Sequence, residues 1–254
     1  MKTILITGAG SGIGRAAAIE LSTKKDIRLI INGRTIESLE ETKSQLSSPK
    51  THLVLASDIS KKEAFAADFQ KLNPGSLNLA GIFANAGIGG ENSYGSSDRW
   101  QQILDTNLTG TYNSIMEVLP YLKNSEEEYK NIVITSSCLA RFGVPNYTAY
   151  CTSKAGLLGL NKALAVELAG DKIKVNAIAP GWIDTEMARE GIQKLADRSN
   201  DSFDEALAEQ MGYVPAGKMG DPEEVARLVS FLMTNVETSF TGHTFDINNG
   251  AFMN

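Results

Sequence analysis

Three side chains in the middle of the sequence have types and spacing suited to acid–base chemistry. Tyr150 and Lys154 lie four residues apart, so in a helix they project from one face, one turn apart. A free tyrosine titrates near ~10, and a cation within about 4–6 Å lowers that pKa by favouring phenolate. Such a tyrosine can exchange a proton with an alcohol or alkoxide, and Ser137, thirteen positions upstream, could hold the same oxygen. The alternative is two unrelated residues on a solvated helix face.

Size and composition restrict the class of protein. The chain has 254 residues, 42% hydrophobic and 21% charged, which fits a single α/β domain over residues 1–254. A net charge of −6 argues against nucleic acid or anionic membranes as partners. The two cysteines form no C-x-x-C pair, and no metal motif is present. The sequence begins directly with strand residues and has no long apolar stretch, so we expect a cytoplasmic protein with no signal peptide or membrane span.

A glycine-rich turn lies between the first predicted strand, residues 3–7, and an alanine-rich helix. Strand, glycine turn and helix together are typical of a dinucleotide site, because glycines let the backbone approach a pyrophosphate and the helix N-terminus offers free N–H groups. The spacing is Gly8-x-x-x-Gly12-x-Gly14 rather than the commoner G-x-G-x-x-G, and an ordinary strand-to-helix turn is the alternative. The predicted cofactor-binding residues of the turn are Gly8, Ser11, Gly12, Ile13 and Gly14.

The end of the second strand, Arg28–Asn32, bears on the choice of cofactor. An acidic residue at this place binds the ribose 2′-hydroxyl of NAD, whereas an arginine accommodates the 2′-phosphate of NADP. Here Gly33 and Arg34 follow the strand, and Arg15 in the first helix could reach the same phosphate. The sequence therefore predicts NADP(H), with NAD(H) second, unless Arg34 is simply a solvated loop residue.

Further polar or small residues follow later strands. Asp58-Ile59 ends the strand at residues 51–56, where Asp58 could accept from the adenine amino group or simply form a turn, and Ser60 to Glu63 predicts a capping box. Asn107 lies among apolar residues in a helix predicted over 98–123, and such local conflicts mark functional sites. The alternative for Asn107 is hydrogen bonding to a neighbouring strand. Small residues beside a flat cofactor are predicted at Asn85, Ala86 and Gly87.

Together these motifs resemble the short-chain dehydrogenase/reductase family along essentially the whole chain. The resemblance implies a Rossmann-type, doubly wound, mostly parallel seven-stranded sheet with helices on both faces, in agreement with the alternation of strands and helices. It also implies a homodimer or homotetramer. A polar stretch at residues 185–213 is predicted to cover the substrate. The motifs that carry the resemblance are the glycine turn, Asp58, Asn85-Ala86-Gly87, Asn107, Ser137, Tyr150-x-x-x-Lys154 and Pro180-Gly181.

The resemblance also implies roles for matching positions. Tyr150 would be the catalytic acid/base, Lys154 would lower its pKa and hold the nicotinamide ribose, Ser137 would bind the substrate carbonyl, and Asn107 would support a proton-relay water. The nicotinamide carboxamide would meet Thr185, which follows Pro180, Gly181 and Ile183. The implied activity is NADP(H)-dependent hydride transfer between nicotinamide and a small carbonyl or secondary alcohol.

Two other functions stay open. One is reduction of 3-oxoacyl thioesters on coenzyme A or a carrier protein, although the acidic run at residues 126–128 argues against an acidic carrier. The other is a non-catalytic, cofactor-sensing module. The sequence does not name the substrate.

Overall fold

The computed structural model describes residues 1–236 and 239–253, in which strands and helices alternate around one parallel sheet. Within these ranges the sheet has seven strands in the order β3-β2-β1-β4-β5-β6-β7, and every neighbouring pair is parallel. The predicted Rossmann-type sheet is thus confirmed. The strands are β1 (Lys2–Ile6), β2 (Ile27–Gly33), β3 (Leu53–Ala56), β4 (Leu79–Ala84), β5 (Lys130–Thr135), β6 (Ile173–Pro180) and β7 (Thr244–Ile247).

Helices connect successive strands, as parallel pairing requires. In the described ranges, no helix has both the length and the apolar character needed to cross a lipid bilayer. The helices are α1 (Gly12–Ser22), α2 (Ile36–Ser44), α3 (Lys62–Gln70), α4 (Trp100–Leu104), α5 (Thr111–Lys123), α6 (Thr148–Leu168), α7 (Glu186–Ser199), α8 (Phe203–Gly212) and α9 (Pro222–Thr234).

Two apolar layers, one on each face of the sheet, hold the helices. Successive strand residues point to opposite faces, so Leu5 packs with α3, α5 and α6, whereas Ile6 packs with α1, α2 and α9. Leu5 and Ile6 are both fully buried. The helices therefore cover both faces, and the strand ends carry the polar and glycine-rich turns.

The helix predicted over residues 98–123 is interrupted. Helix α4 ends at Leu104, six residues from Asp105 to Gly110 form a π-helical segment, and α5 follows. Gly110 permits close packing here, since a Cβ at that position would lie 3.0 Å from the side chain of Ile59. Single π-helical turns occur frequently at functional sites, and Asn107 lies within this one.

The predicted capping box at residues 60–63 is wrong. Helix α3 begins at Lys62 after Lys61, and no side chain caps it. The backbone N–H of Ser60 instead donates to Oδ1 of Asp58 at 2.9 Å. Because this turn places Ser60 before the helix entry, its hydroxyl does not reach the first-turn amides. By contrast, Asp221 is the N-cap residue of α9, and its backbone N–H donates to Oε2 of Glu224 at 3.2 Å in a capping box.

Candidate active site

The candidate residues collect at one edge of the sheet. In a parallel sheet all carboxyl ends lie at the same edge, so the turns after β1, β4, β5 and β6 meet there. Ser137 directly follows β5, and α6 passes beside it with Tyr150 and Lys154 in its first two turns. The predicted spacing on one helix face is confirmed, because both side chains lie near the end of β5.

Ser137 and Tyr150 present their hydroxyl groups to the same place. The Ser137 hydroxyl acts on the Tyr150 phenol and lowers its pKa. Ser137 Oγ also accepts from the backbone N–H of Leu139 at 3.1 Å, which fixes its orientation. The ring of Tyr147 packs edge-on against the Tyr150 ring, with centroids 6.2 Å apart. A carbonyl oxygen placed at these two hydroxyls would receive two hydrogen bonds.

Lys154 is buried beneath the tyrosine, with 4% of its surface exposed. Its Nζ donates to the backbone oxygen of Thr135 at 2.9 Å and lies 5.7 Å from the centroid of the Tyr150 ring. Gly87 lies beside it: a Cβ at Gly87 would be in ordinary contact with Nζ at 3.5 Å and tight against Oδ1 of Asn107 at 3.2 Å. The ammonium is therefore enclosed between the turn after β4 and the end of β5.

Burial sets the pKa values of this pair. Desolvation raises the pKa of Tyr150 to about 12, against a smaller lowering by the Ser137 hydroxyl. Desolvation likewise lowers the pKa of Lys154 to about 8. The structure thus does not show the lowered phenol pKa that the sequence predicts, because the cost of burying phenolate outweighs the stabilisation it receives. A phenol of this kind keeps its proton at neutral pH and is suited to donating it.

Asn107 connects the turn after β4 to helix α6. Its Oδ1 accepts from the Ile88 N–H at 2.8 Å, and its Nδ2 donates to the Ile88 oxygen at 3.0 Å and to Ser153 Oγ at 3.3 Å. These hydrogen bonds agree with the alternative role of Asn107, in which it hydrogen-bonds the end of a neighbouring strand. A role in proton relay stays a proposal.

The glycine turn forms a close-fitting cradle. Gly8 has a φ of +69°, and a Cβ there would lie 2.7 Å from Cα of Ala86, while a Cβ at Gly14 would overlap the Gly8 carbonyl. Ser11 precedes α1 without capping it through its side chain, so the N–H groups of the first turn, from Gly12 through Ile13, stay available to an anion. The turn fits the pyrophosphate of a dinucleotide.

Thr7 holds the cradle to the turn after β4, a role that the sequence did not suggest. Its Oγ1 accepts from the N–H groups of both Asn85 and Ala86 at 3.0 Å. Asn85 also donates to the Thr7 carbonyl and accepts from Thr135 Oγ1 at 3.1 Å. Asn85 therefore serves to join three strand ends.

The two arginines that were predicted to bind the ribose 2′-phosphate differ in whether other side chains already bind them. Arg15 forms a bidentate ion pair with Glu41 at 2.8 Å and also donates to Gly10 and Thr42. Arg34 is exposed and has no side-chain partner within the described ranges. Asp58 is engaged in its turn with Ser60. Ile59, 3% exposed and packed against Gly110, belongs to the core, so its side chain is not available to a cofactor.

The turn after β6 comes close to the glycine turn. Pro180 ends the strand, and Gly181 passes so near the C-terminal turn that a Cβ there would lie 2.9 Å from Cα of Asn248. Ile183 is buried, and Thr185 caps α7 by accepting from the Ala188 N–H at 3.3 Å. The Thr185 methyl carbon lies 3.1 Å from where a Cβ of Gly12 would be. The predicted cofactor-binding residues of this turn thus adjoin the cradle.

Asn92, which the sequence gave no reason to single out, positions the start of helix α6. Its buried Oδ1 accepts from the Ala149 N–H at 2.9 Å and from Thr148 Oγ1 at 3.1 Å, and its own N–H donates to Asn146 at 2.9 Å. Helix α6 has no cap from its own N-cap side chain, Tyr147. A remote residue thus caps the helix one residue before Tyr150.

The predicted covering segment at residues 185–213 consists of α7 and α8. They pack on each other around Ile192, Ala196 and Ala206. An ion pair of 2.7 Å between Arg198 and Glu91 joins α7 to the turn after β4. The acidic run at residues 126–128 precedes β5 and so lies at the amino edge of the sheet, opposite the site. Its predicted effect on an acidic carrier partner stays a prediction.

Fold and site together define a dinucleotide-binding α/β oxidoreductase. Residues 8–251 match the family model described as Enoyl-(Acyl carrier protein) reductase. The chain is 34% identical to a 3-oxoacyl-[acyl-carrier-protein] reductase of Aggregatibacter actinomycetemcomitans over 98% of both chains. The chain belongs to the short-chain dehydrogenase/reductase family.

Two solved structures share the fold closely. A variant of actinorhodin polyketide ketoreductase with NADPH has a TM-score of 0.90 at 28% identity, covering 98% of this chain and 97% of that one. NAD+-bound xylitol dehydrogenase has a TM-score of 0.88 at 27% identity, covering 98% of both. Structures of this fold therefore include proteins with either nicotinamide cofactor.

Proposed function

We propose that this protein is an NADP(H)-dependent carbonyl reductase in which Tyr150 is the catalytic acid. The observation that carries the proposal is the grouping of Ser137 and Tyr150 with the buried Lys154, whose Nζ lies 5.7 Å from the centroid of the Tyr150 ring. All three lie at the sheet edge that carries the glycine cradle. A carbonyl bound at the two hydroxyls is then within reach of a nicotinamide extending from the cradle.

The reaction balances with the groups at the site. A nicotinamide cofactor held at the turn of Gly8, Gly12 and Gly14 would supply a hydride to the carbonyl carbon. The electron pair of the C=O π bond moves onto oxygen, where the Ser137 and Tyr150 hydroxyls stabilise the developing charge. Tyr150 transfers its proton to that oxygen, giving the alcohol and a phenolate. Lys154 stabilises the phenolate, and we assign Asn107 the support of the water that returns a proton to it.

The pKa values favour the direction of reduction. With the pKa of Tyr150 raised to about 12, the phenol carries the proton that reduction consumes. Oxidation of an alcohol would need the phenolate, which burial disfavours. We therefore assign Tyr150 as the proton donor in the direction of reduction.

Arg34 supports NADP(H) over NAD(H). It directly follows Gly33 at the end of β2, is exposed, and is free of intramolecular partners in the described ranges. Arg15 is less suited to binding a 2′-phosphate, because Glu41 already neutralises it. The remaining predicted contacts, from Asp58 to the adenine and from Thr185 to the carboxamide, belong to the same proposal.

A second candidate substrate is a 3-oxoacyl thioester. The name of the relative from Aggregatibacter actinomycetemcomitans favours it, since that protein reduces such groups on a carrier protein. The chemistry at Tyr150 would be the same, because a 3-oxo group is a ketone.

The test is a screen of NADPH oxidation with ketones and 3-oxo thioesters, with the alcohol product identified by mass spectrometry. We expect turnover with at least one carbonyl and a higher kcat/KM with NADPH than with NADH. NADPH binding without turnover on any carbonyl would contradict the proposal and favour a cofactor-sensing module.

A further inference from the structure

Helix α2 packs directly on the glycine turn. A Cβ at Gly10 would lie 2.6 Å from Oγ of Ser38, so the helix approaches the backbone of the turn closely. The turn adopts positive φ angles at Gly8 (+69°) and at Gly12 (+49°). Glycine loses more conformational freedom on folding than any other residue, so a turn of this composition needs contacts from outside to keep one shape.

Thr42 of α2 supplies one of these contacts. Its side chain is fully buried, and its hydroxyl donates to the Ala9 carbonyl at 3.0 Å, sharing the proton with the Ser38 carbonyl of its own helix. The same hydroxyl accepts from Nε of Arg15 at 3.0 Å. On the other side, the Ala9 N–H donates to the carbonyl of Asn32 at 2.8 Å. Both polar backbone groups of Ala9 are therefore held.

Arg15 holds the next residue of the turn. Its guanidinium donates to the Gly10 carbonyl at 2.6 Å, to the Thr42 hydroxyl, and to both carboxylate oxygens of Glu41 at 2.8 Å. These four bonds use four of the five N–H donors of a guanidinium. A carbonyl oxygen bound in this way is not free to rotate towards a pyrophosphate, which it would repel.

We propose that Thr42 and Arg15 are positioning residues, which hold the Ala9 and Gly10 carbonyls so that the turn keeps the shape that a cofactor pyrophosphate requires. This proposal rests on the proposed cofactor binding and extends it to a residue of α2. Arg15 then acts on the turn and not on the ribose 2′-phosphate. NADPH and NADH share the pyrophosphate, so loss of either side chain weakens both cofactors by the same factor.

The test is a fluorescence titration of NADPH and of NADH with no carbonyl present. Thr42→Val keeps the branched shape of the side chain but removes the hydroxyl, so the turn is competent to bind for only part of the time. Both Kd values should therefore rise by about three- to tenfold. Thr42→Ser keeps the hydroxyl and should restore both values to within about twofold of the wild type. The matched control Ser44→Ala removes an exposed hydroxyl of the same helix and should change neither Kd.

Arg15→Met tests the same proposal if Thr42→Val does not fold. It should weaken NADPH and NADH equally, whereas a loss confined to NADPH would assign Arg15 to the 2′-phosphate and overturn the proposal. With a carbonyl that the wild type reduces, the KM for NADPH should rise with Kd, while kcat falls by less than about twofold. A fall in kcat with an unchanged KM would show a general loss of folded enzyme and would contradict a positioning role.

The remaining outcomes separate this proposal from the reductase function. Unchanged Kd values in Thr42→Val and Arg15→Met, or a Thr42→Ser protein that binds as weakly as Thr42→Val, would overturn the positioning role. A wild-type protein that binds NADPH but reduces no carbonyl would overturn the reductase function alone, because binding is measured without a carbonyl. A wild-type protein that binds neither cofactor would overturn both.

Discussion

Replacing Lys154 by methionine should stabilise the protein at neutral pH while removing its activity. The side chain is 4% exposed, and burial lowers its pKa from 10.5 to about 8. Methionine keeps most of the length of the side chain, one atom shorter, without its charge. Functional sites commonly hold groups whose removal stabilises the fold, and this lysine belongs to that class.

The magnitude follows from the pKa difference. Folding lowers the pKa of Lys154 to about 8. At pH values where Lys154 is protonated in both the folded and the unfolded protein, this shift costs about 3 kcal/mol of folding free energy. The methionine variant avoids this cost but loses the 2.9 Å hydrogen bond from Lys154 to the Thr135 carbonyl, which offsets about 1 kcal/mol of the stabilisation. The methionine variant should therefore be about 2 kcal/mol more stable at pH 7. The unfolded chain binds more protons than the folded protein between pH 8 and 10.5, so wild-type stability rises across that window.

The assay is urea unfolding of both proteins at pH 7 and pH 10, at one protein concentration. The advantage of Lys154→Met should disappear by pH 10, since the wild type no longer carries the buried charge there. A matched control is Lys162→Met, which changes an exposed lysine of the same helix and should show no such pH dependence. A stability difference for Lys154→Met that is the same at both pH values would refute the reasoning.

Three further results are expected. Arg34→Ala should weaken NADPH binding by about 10- to 100-fold and NADH binding far less, measured by fluorescence titration, and equal losses would exclude a 2′-phosphate contact. Asn92→Ala should destabilise the start of α6 by about 1 kcal/mol and lower kcat with little change in the KM for NADPH. The control variant Asn92→Asp keeps an acceptor for the Ala149 N–H and should therefore retain more of the wild-type kcat. A kcat equal to that of the wild type in both variants would contradict a positioning role. The kcat for reduction should fall as pH rises through about 8, where Lys154 loses its proton, and a rate constant up to pH 10 would show that its charge is not used.

Much of this architecture is readable from local sequence patterns. The glycine turn, the strand ends and the four-residue spacing of Tyr150 and Lys154 each reflect a backbone requirement that one short segment satisfies. Asn249 is another example, because it adopts a φ of +54° in the turn after β7, a conformation that asparagine tolerates better than most residues. Such features can be predicted from the sequence because no contact with a distant segment is needed to define them.

The features that the sequence analysis missed depend on contacts between distant segments. The pKa of Tyr150 is governed by its burial, which four-residue spacing alone does not reveal. Arg15 is neutralised by Glu41, 26 positions away, and Asn92 caps a helix 57 positions away. The π-helical segment at Asn107 arises where a mid-helix asparagine meets Ile88. Each of these contacts is set by the packing of the sheet.

The central claim is that the Tyr150 hydroxyl gives its proton to the reduced oxygen. The most direct measurement is the single-turnover rate of NADPH oxidation by Tyr150→Phe with a substrate of the wild-type protein, together with its affinity for NADPH. We predict a rate lower by about 10²- to 10⁴-fold with nearly unchanged affinity, while Tyr147→Phe, which removes the neighbouring hydroxyl, loses far less. A Tyr150→Phe protein that turns over at the wild-type rate would contradict the mechanism.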